Sequence, residues 1–201
     1  MDIRILNSFE DAEKYRSIRL ESLKNTPEVF ASSYGEEKDL SIEEFKNKFQ
    51  SESSFTYGAF DKRELVGIIT LYQEKLNKLR HRAHIGAMYV SPSKRGLGIG
   101  KALMEEAIKK AKSIEDLEQV YLAVVSTNES AKKLYSLLGF EVFGTEKKGL
   151  KLENNIYFDV DFMILYLLYV SANTREFIHG IQPARFSFLL FYSLQNTRLD
   201  I

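Results

Sequence analysis

The chain has 201 residues, of which 44% are hydrophobic and 28% are charged, and its 28 lysines and arginines balance its 28 aspartates and glutamates. This length and composition predict a soluble globular chain with one main domain and argue against intrinsic disorder. A neutral chain lacks the basic excess with which nucleic-acid-binding proteins displace counterions, so we expect no nucleic-acid partner.

The residue types that are absent or rare narrow the chemistry further. The chain contains no cysteine, which excludes disulfides, thiolate nucleophiles and cysteine-based metal sites. Its histidines, His81, His84 and His179, lack the spacing that places two metal ligands on one helix face, so no metal is expected. The first six residues mix acidic and basic side chains, unlike a signal peptide. We therefore predict a cytoplasmic protein.

The first half of the chain predicts a strand, two helices and three further strands. Apolar alternation predicts a strand at 3–5, and Ser8 with Asp11 forms the pattern of a capping box that begins a helix ending near Asn25. A second helix is predicted to begin at Ser41. Strand-like runs then occupy 55–60, 65–72 and 83–90; the first two are joined by a polar turn, and a proline ends the third.

The second half predicts alternating helices and strands. The clearest helix covers 100–114, since its apolar residues recur at helical spacing. Residues 120–125 are nearly all apolar, as in a strand covered on both faces. A helix with an apolar stripe at 131–138 follows, Gly139 stands where a left-handed cap is expected, and strands near 141–146 and 156–167 complete the order. The order predicts a mixed α/β fold with a mostly antiparallel sheet.

A glycine-rich turn lies between the strand that ends near Val90 and the following helix. Gly96, Gly98 and Gly100 alternate there. A helix N-terminus carries unpaired N–H groups and a partial positive charge, and glycines let a phosphate approach them. The turn therefore predicts a pyrophosphate site, although such a turn alone can simply introduce a helix. Its spacing differs from G-x-G-x-x-G, and the residue after Lys101 is neither serine nor threonine, which disfavours NAD and ATP.

A second motif follows the apolar strand. Asn128 and Tyr135 lie seven residues apart, which is two helical turns, so they share one helix face. Together with the glycine-rich turn, this segment resembles the GNAT superfamily of acyl-CoA-dependent N-acetyltransferases. The resemblance rests on V-x-P at 90–92, R-x-x-G-x-G at 95–100 and N-x-x-A-x-x-L-Y-x-x-x-G-F at 128–140. It covers about residues 1–167 and implies a GNAT-like twisted sheet flanked by helices.

The resemblance also implies an activity. An acetyl group would move from acetyl-CoA to a primary amine of a small molecule, a peptide or a protein by direct attack in a ternary complex. The Val90 N–H would polarise the thioester carbonyl, and Tyr135 would be the general acid for the CoA thiolate, although the pattern alone also suits a core tyrosine. The implied cofactor-binding residues are Met88, Val90, Arg95, Gly96, Leu97, Gly98, Ile99, Gly100, Lys101, Asn128 and Tyr135. The pyrophosphate charge would be screened by Lys94, Arg95, Lys101, Lys132 or Lys133.

The general base is less defined. Many members of the superfamily use a glutamate on the fourth strand, and residues 83–88 contain none. His84 is the leading catalytic candidate because neutral imidazole accepts a proton near physiological pH, although a purely structural histidine fits equally well. The alternatives are Glu36, Glu37, Asp39 or a water relay. A non-catalytic acyl-CoA-binding or sensor module on the same fold is the alternative function.

Residues 168–201 differ in composition from the rest of the chain. They contain only five charged residues but six aromatic ones, and 186–194 is almost entirely apolar. That run is too short to cross a membrane as a helix, so no membrane partner is expected. We predict a GNAT acetyltransferase domain at 1–167 and an aromatic-rich C-terminal extension at 168–201. The extension would pack on the domain or on a second subunit of a homodimer, or be a non-native addition.

Overall fold

The computed structural model describes residues 1–49 and 51–167, which form a sheet with helices on both faces. The strands in this part of the chain are β1 (Asp2–Ile5), β2 (Ser54–Asp61), β3 (Glu64–Gln73), β4 (Arg82–Val90), β5 (Gln119–Val125), β6 (Glu141–Lys151) and β7 (Tyr157–Tyr166). The helices are α1 (Phe9–Asn25), α2 (Tyr34–Glu37), α3 (Ile42–Asn47), α4 (Ile99–Lys112) and α5 (Glu129–Leu137).

The described strands form one seven-stranded sheet in the order β1-β2-β3-β4-β5-β7-β6. Every neighbouring pair is antiparallel except β4 and β5, which are parallel. The predicted mixed, mostly antiparallel fold is thus confirmed. The parallel pair is joined by α4, as a parallel connection requires a crossover.

Two apolar cores lie on opposite faces of the sheet. Helices α4 and α5 cover the first face, and α1 and α3 cover the second at β2, β3 and the end of β4. The first core includes Leu71, Ala83, Ile85, Leu103, Met104, Ala107, Val120, Leu122 and Tyr135. The second includes Leu6, Tyr15, Ile18, Phe45, Phe60, Leu65, Ile68 and Tyr89. We call the side of the sheet that carries the first core the α4 face, and the side that carries the second core the α1 face.

The local signals for helix ends are confirmed where polar side chains supply them. Ser8 accepts the Asp11 N–H at 3.0 Å and the Asp11 carboxylate accepts the Ser8 N–H at 3.1 Å, which completes the predicted capping box. Ser41 caps α3 in the same way. Gly139 has φ +93°, the left-handed conformation expected after α5.

Two expectations need correction. The segment between the first two predicted helices, to which no element was assigned, contains the short helix α2, because Ser33 and Glu36 form a capping box that starts a turn too brief to show periodicity. Strand β5 is not covered on both faces. Val120, Leu122 and Val124 are buried but Ala123 is exposed, since α1 and α3 do not extend their packing to β5.

Strand β4 contains a bulge that separates it from β5. Ile68 pairs with Tyr89 and Thr70 with Gly86, so Ala87 and Met88 together face the single residue Ile69 of β3. A bulge of this kind bends the strand that carries it. Pairing of β4 with β5 covers only Arg82 to Ile85. From Gly86 onward the edge of β4 that faces β5 has no ladder partner among the described strands, and we call this opening the β4–β5 gap.

No helix within residues 1–49 and 51–167 combines the length and the apolar character that a membrane crossing requires. The predicted extension at 168–201 and its proposed packing lie outside the described residues. The domain boundary at residue 167 and the homodimer therefore stay predictions.

The bulge predicts an uneven response to substitution at Ala87. Its φ of +51° is a left-handed conformation that disfavours β-branched residues. We expect Ala87→Val to lower the free energy of unfolding by about 1–3 kcal/mol. Ala87→Gly should be nearly neutral, because relief of backbone strain offsets glycine's entropy cost of about 0.5–1 kcal/mol. Urea unfolding monitored by circular dichroism measures both.

Ala123→Val is the matched control, since Ala123 is exposed on a regular strand where valine is well accommodated. Equal losses of stability for Ala87→Val and Ala123→Val would contradict the assignment of strain to the bulge.

Candidate active site

The N-terminus of α4 presents unpaired backbone donors. Gly98 is its N-cap, with φ +78° and no side-chain capping bond. The first hydrogen bond of the helix runs from the Ala102 N–H to the Gly98 carbonyl at 3.0 Å. The amides of the residues between them have no acceptor in this helix. No acidic residue lies in the first turn of α4. This arrangement favours an anion.

Glycines keep the approach to these donors open. Gly96 and Gly98 both have φ +78°, and a Cβ atom at either would meet no other atom within 4 Å. The left-handed backbone, and not lack of space, therefore requires glycine here. Gly100 has a different role. A Cβ there would lie 3.2 Å from Met88 Cε and 3.5 Å from Leu134 Cδ2, so its absence lets α4 begin close to β4 and α5.

The lysine side chains expected to screen a pyrophosphate at this helix end differ in whether they already pair with a carboxylate. Lys94 Nζ lies 2.6 Å from the Asp61 carboxylate, and Lys132 Nζ lies 2.9 Å from that of Asp161. Both are engaged within the domain. Lys101 makes only a 3.3 Å surface pair, and the exposed Lys133 extends from α5.

Asp161 fixes the turn between β5 and α5. It accepts the hydroxyls of Ser126 and Thr145, each at 2.7 Å, besides pairing with Lys132. Burial alone would raise the pKa of Asp161, but these partners outweigh it and hold the pKa below its ordinary value. Lys132 also donates to the Ser126 carbonyl at 3.1 Å. Lys132 therefore has structural contacts in this turn, and its expected screening of the pyrophosphate stays a prediction.

The edge of β4 supplies backbone groups to the β4–β5 gap. Ser91 N–H donates to the Val66 carbonyl of β3 at 2.9 Å, and the preceding residue Val90 pairs in register with Gly67. Because hydrogen-bonded and non-hydrogen-bonded pairs alternate along an antiparallel ladder, the Val90 N–H and C=O point away from β3. The Val90 carbonyl accepts Arg95 Nε at 3.0 Å. Arg95 thus ties the glycine-rich turn, with the exposed Leu97 at its tip, to this edge.

Asn128 has a structural task as the N-cap of α5. Its side-chain oxygen accepts the Ala131 N–H and the Ser130 hydroxyl, each at 3.2 Å. The amide group of the side chain is the part that is left for a ligand. The implied role of Asn128 in cofactor binding therefore stays a prediction.

Tyr135 combines a buried ring with a reachable hydroxyl. The residue is 7% exposed and lies in the α4-face core beside Phe140. Its hydroxyl makes no hydrogen bond to any residue in the described part of the chain. In that part, every side-chain nitrogen or oxygen atom that solvent cannot touch has a hydrogen-bond partner. The hydroxyl must therefore reach the surface. Burial raises the pKa of Tyr135 to about 12, so the phenol is neutral at physiological pH.

His84 lies on the opposite side of the sheet from Tyr135. Its neighbours Ala83 and Ile85 are in the α4-face core, and side chains alternate along a strand, so His84 points to the α1 face. Its Nε2 lies 3.0 Å from Glu74 Oε1. Burial lowers the pKa of His84, with Glu74 opposing this effect and Arg82 adding to it.

Glu74 is the residue that the sequence interpretation missed. It follows directly after β3, and its N–H donates to the Arg82 carbonyl at 3.0 Å, one step beyond the last pair of the β3–β4 ladder. An antiparallel register for residues 65–72 and 83–90 would have placed it near His84. The polar connection between the two strands left that register undetermined.

The acidic alternatives for the base are placed differently. Glu37 is 4% exposed and pairs with Arg19 at 2.7 Å and Lys48 at 3.0 Å. Burial alone would raise its pKa, but these cations lower it to about 2, so Glu37 is a poor proton acceptor. Glu36 caps α2, and Asp39 makes a surface pair with Lys38 at 3.7 Å.

Comparisons with known proteins agree with this geometry. The model of the acetyltransferase (GNAT) family matches residues 19–140. The chain belongs to this family. The expectation of an N-acetyltransferase with a GNAT fold is therefore confirmed.

Individual relatives of this GNAT chain extend the comparison. The peptidyl-lysine N-acetyltransferase YjaB of Salmonella typhimurium is 29% identical over 135 residues, which is 67% of this chain and 80% of that protein. The L-amino acid N-acetyltransferase AaaT of Escherichia coli is 31% identical over 100 residues, 50% of this chain and 60% of that protein. A phosphinothricin acetyltransferase from Sinorhizobium meliloti, solved with acetyl-CoA, superimposes with a TM-score of 0.72 at 22% identity and covers 86% of this chain and 91% of that one.

The buried Arg19–Glu37 pair predicts a pH-dependent stability. Because the folded pKa of Glu37 lies near 2 and below its unfolded value, its contribution is complete above about pH 4.5 and is lost as the pH falls towards 2. Glu37→Gln leaves Arg19 buried without its counter-charge. We expect it to lower the free energy of unfolding at pH 7 by about 3 kcal/mol and to flatten the acid dependence. Urea unfolding at a series of pH values measures this effect.

Glu43→Gln is the matched control, because Glu43 makes an exposed pair with Lys46 at 3.7 Å. Such a pair contributes less than about 1 kcal/mol. If the two variants lose the same stability, the buried pair does not have the assigned role.

Proposed function

We propose that this chain transfers an acetyl group from acetyl-CoA to a primary amine of a small molecule, a peptide or a protein, by direct attack within a ternary complex. One observation carries the proposal. The β4–β5 gap opens beside the uncapped N-terminus of α4, with a neutral phenol on one face of the sheet and an imidazole on the other. These are the groups that an acyl transfer from a thioester to an amine needs. Acetyl-CoA use and the composition favour a cytoplasmic location.

The CoA pyrophosphate is proposed to bind the first-turn amides of α4 and the turn of residues 95–101. The open space above Gly96 and Gly98 accommodates phosphate oxygens, and the helix end supplies partial positive charge. Lys101 and Lys133 remain as mobile counter-charges, since Lys94 and Lys132 are paired within the domain.

The pantetheine arm is proposed to run along the unpaired edge of β4 from Gly86 to Val90. There it replaces β5 as the partner of the strand, with Met88 beside it. An N–H that points into the gap, that of Val90, then hydrogen-bonds the thioester oxygen and stabilises the negative charge that develops there.

The reaction proceeds across the gap. The amine nitrogen attacks the thioester carbonyl carbon from the α1 face, the new C–N bond forms and the C–S bond breaks. Tyr135, on the α4 face, donates its hydrogen bond to the departing sulfur. An ordinary thiol has a pKa of about 8.5, below that of Tyr135, so the phenol keeps its proton and stabilises the departing thiolate through this hydrogen bond. His84 accepts the ammonium proton on the other face.

The relatives favour an amine acceptor without fixing which one. YjaB is named for peptidyl-lysine and AaaT for L-amino acids, and both acceptors present a primary amine. Assay of acetyl-CoA consumption with amino acids, lysine peptides and small amines tests the proposal. Acetyl-CoA binding without turnover on any amine would instead identify a non-catalytic acyl-CoA-binding module.

Tyr135→Phe tests the acid. We expect kcat to fall about 100-fold, because the hydroxyl supports the departing thiolate, while the Kd for acetyl-CoA stays the same. Steady-state kinetics and calorimetry measure the two quantities. Tyr57→Phe is the matched control, since Tyr57 is 8% exposed in the same core and should keep its activity. Unchanged turnover in Tyr135→Phe would remove Tyr135 from the mechanism.

Gly98→Ala tests the pyrophosphate site. Alanine at φ +78° strains the turn and tilts its amides, so we expect the Kd for acetyl-CoA to rise about tenfold, a change of about 1.4 kcal/mol. The Kd for S-acetylpantetheine, which lacks the pyrophosphate, should not change. Gly144→Ala is the control because a Cβ there also meets no atom within 4 Å. An equal loss for both ligands would contradict the assignment of the pyrophosphate to this turn.

A further inference from the structure

Glu74 and His84 form a largely buried pair beside the β4–β5 gap. Their side chains are 13% and 7% exposed, and Glu74 Oε1 lies 3.0 Å from His84 Nε2. An ionised carboxylate can only accept hydrogen bonds, so a neutral His84 in this contact carries its hydrogen on Nε2. The second ring nitrogen, Nδ1, then has a free lone pair.

Two tyrosines fix the plane of the imidazole. The ring of Tyr72 on β3 stacks on that of His84 with centroids 5.4 Å apart and planes 14° apart. Tyr121 on β5 stacks on it at 5.5 Å and 30°. The stacking restricts tilt of the ring, and the hydrogen bond to Glu74 selects one of its two flipped orientations. The imidazole is therefore held in one position and one tautomer.

The free nitrogen is open to a ligand. His84 Nδ1 makes no hydrogen bond to any residue within 1–49 and 51–167. In that part of the chain, every side-chain nitrogen that solvent cannot touch has a hydrogen-bond partner. Although only 5% of His84 is exposed, Nδ1 therefore reaches the surface. His84 lies one residue before the last β4–β5 pair, where the gap begins.

We propose that Glu74 is a positioning residue that holds His84 as the Nε2–H tautomer, so that Nδ1 accepts a proton from the amine substrate through bound water. The inference rests on the proposed function, since it requires an amine acceptor. Extended strand covers about 20 Å between His84 and Val90, whose N–H is proposed to bind the thioester oxygen, at about 3.3 Å per residue. A water relay spans part of that distance, and the amine itself spans the rest.

The protons balance in this scheme. The ammonium form of the acceptor loses one proton through water to His84 Nδ1, and the resulting imidazolium releases it to solvent after turnover. The amine loses its second proton as the amide forms. That proton passes to water, and the CoA sulfur, which leaves hydrogen-bonded to Tyr135, takes up a proton from water. Glu74 stabilises the transient imidazolium by its opposite charge and does not itself transfer a proton.

Within residues 1–49 and 51–167, four charged or titratable side chains face His84 from the strands around it. Tyr72 and Glu74 face it from β3, Arg82 from β4 and Tyr121 from β5. Burial raises the pKa of both tyrosines, which therefore stay neutral, and arginine stays charged. Burial lowers the pKa of His84, and we expect its titration to form the ascending limb of the kcat profile.

Glu74→Gln and His84→Gln in the full chain test the roles of the two residues through the pH dependence of kcat with acetyl-CoA and a saturating amine. We expect Glu74→Gln to move the ascending limb of the kcat–pH profile about one pH unit lower, because loss of the carboxylate disfavours the imidazolium form of His84. His84→Gln should abolish that limb and lower kcat about 100-fold. Glu13→Gln, an exposed position on α1, is the control for removal of one carboxylate and should leave the profile unchanged.

A second measurement reports the tautomer without turnover. Nitrogen-15 NMR of histidine-labelled protein, with His84 assigned by its loss in His84→Gln, should show hydrogen on Nε2 in the parent and a tautomer mixture in Glu74→Gln. An Nδ1–H tautomer in the parent, or an unmoved limb in Glu74→Gln, would overturn the role of Glu74 even if amines are acetylated. Absence of turnover with the Nε2–H tautomer intact would overturn the proposed function, and with it the role of His84 as base.

Discussion

The parting of β4 from β5 is the constraint from which the rest of the site follows. The two strands pair over only four residues, and the extra residue at Ala87–Met88 then bends β4 away. A continuous ladder would bury the Val90 amide between strands. The bend instead leaves backbone donors and acceptors unpaired at the centre of the sheet, where a linear amide-bearing ligand can complete the ladder. The strain of a left-handed alanine at this point is thus linked to function.

The sheet also separates the two groups that are proposed to handle protons. Tyr135 belongs to the core beneath α4, while His84 lies on the α1 face. In the proposed reaction, a thioester held between β4 and β5 would have one group on each side of it. The amine would then enter from one face while the thiol leaves towards the other, so neither reactant would have to pass the other. The burial that keeps Tyr135 a neutral phenol also keeps His84 a neutral imidazole.

Buried charges elsewhere hold the elements that frame the gap. Glu37 connects α2 to Arg19 on α1 and to Lys48 just after α3, and Asp161 on β7 connects the β5–α5 turn through Ser126 and Lys132. Each carboxylate has several partners, which compensates the cost of burying its charge. These contacts occupy residues that the sequence suggested for catalysis or for phosphate binding, which favours Tyr135, His84 and the glycine-rich turn in the proposed mechanism.

The sequence by itself determined the order of the elements, the glycine-rich turn, the second motif and the family, because capping residues, periodicity and glycines act over a few neighbouring positions. Only the tertiary structure decided which charged groups are available. Lys132 and Glu37 looked free in sequence, yet partners that are 29 and 18 residues away engage them. Glu74 gained its place beside His84 from strand register, which depends on how whole strands align and not on the residues next to it.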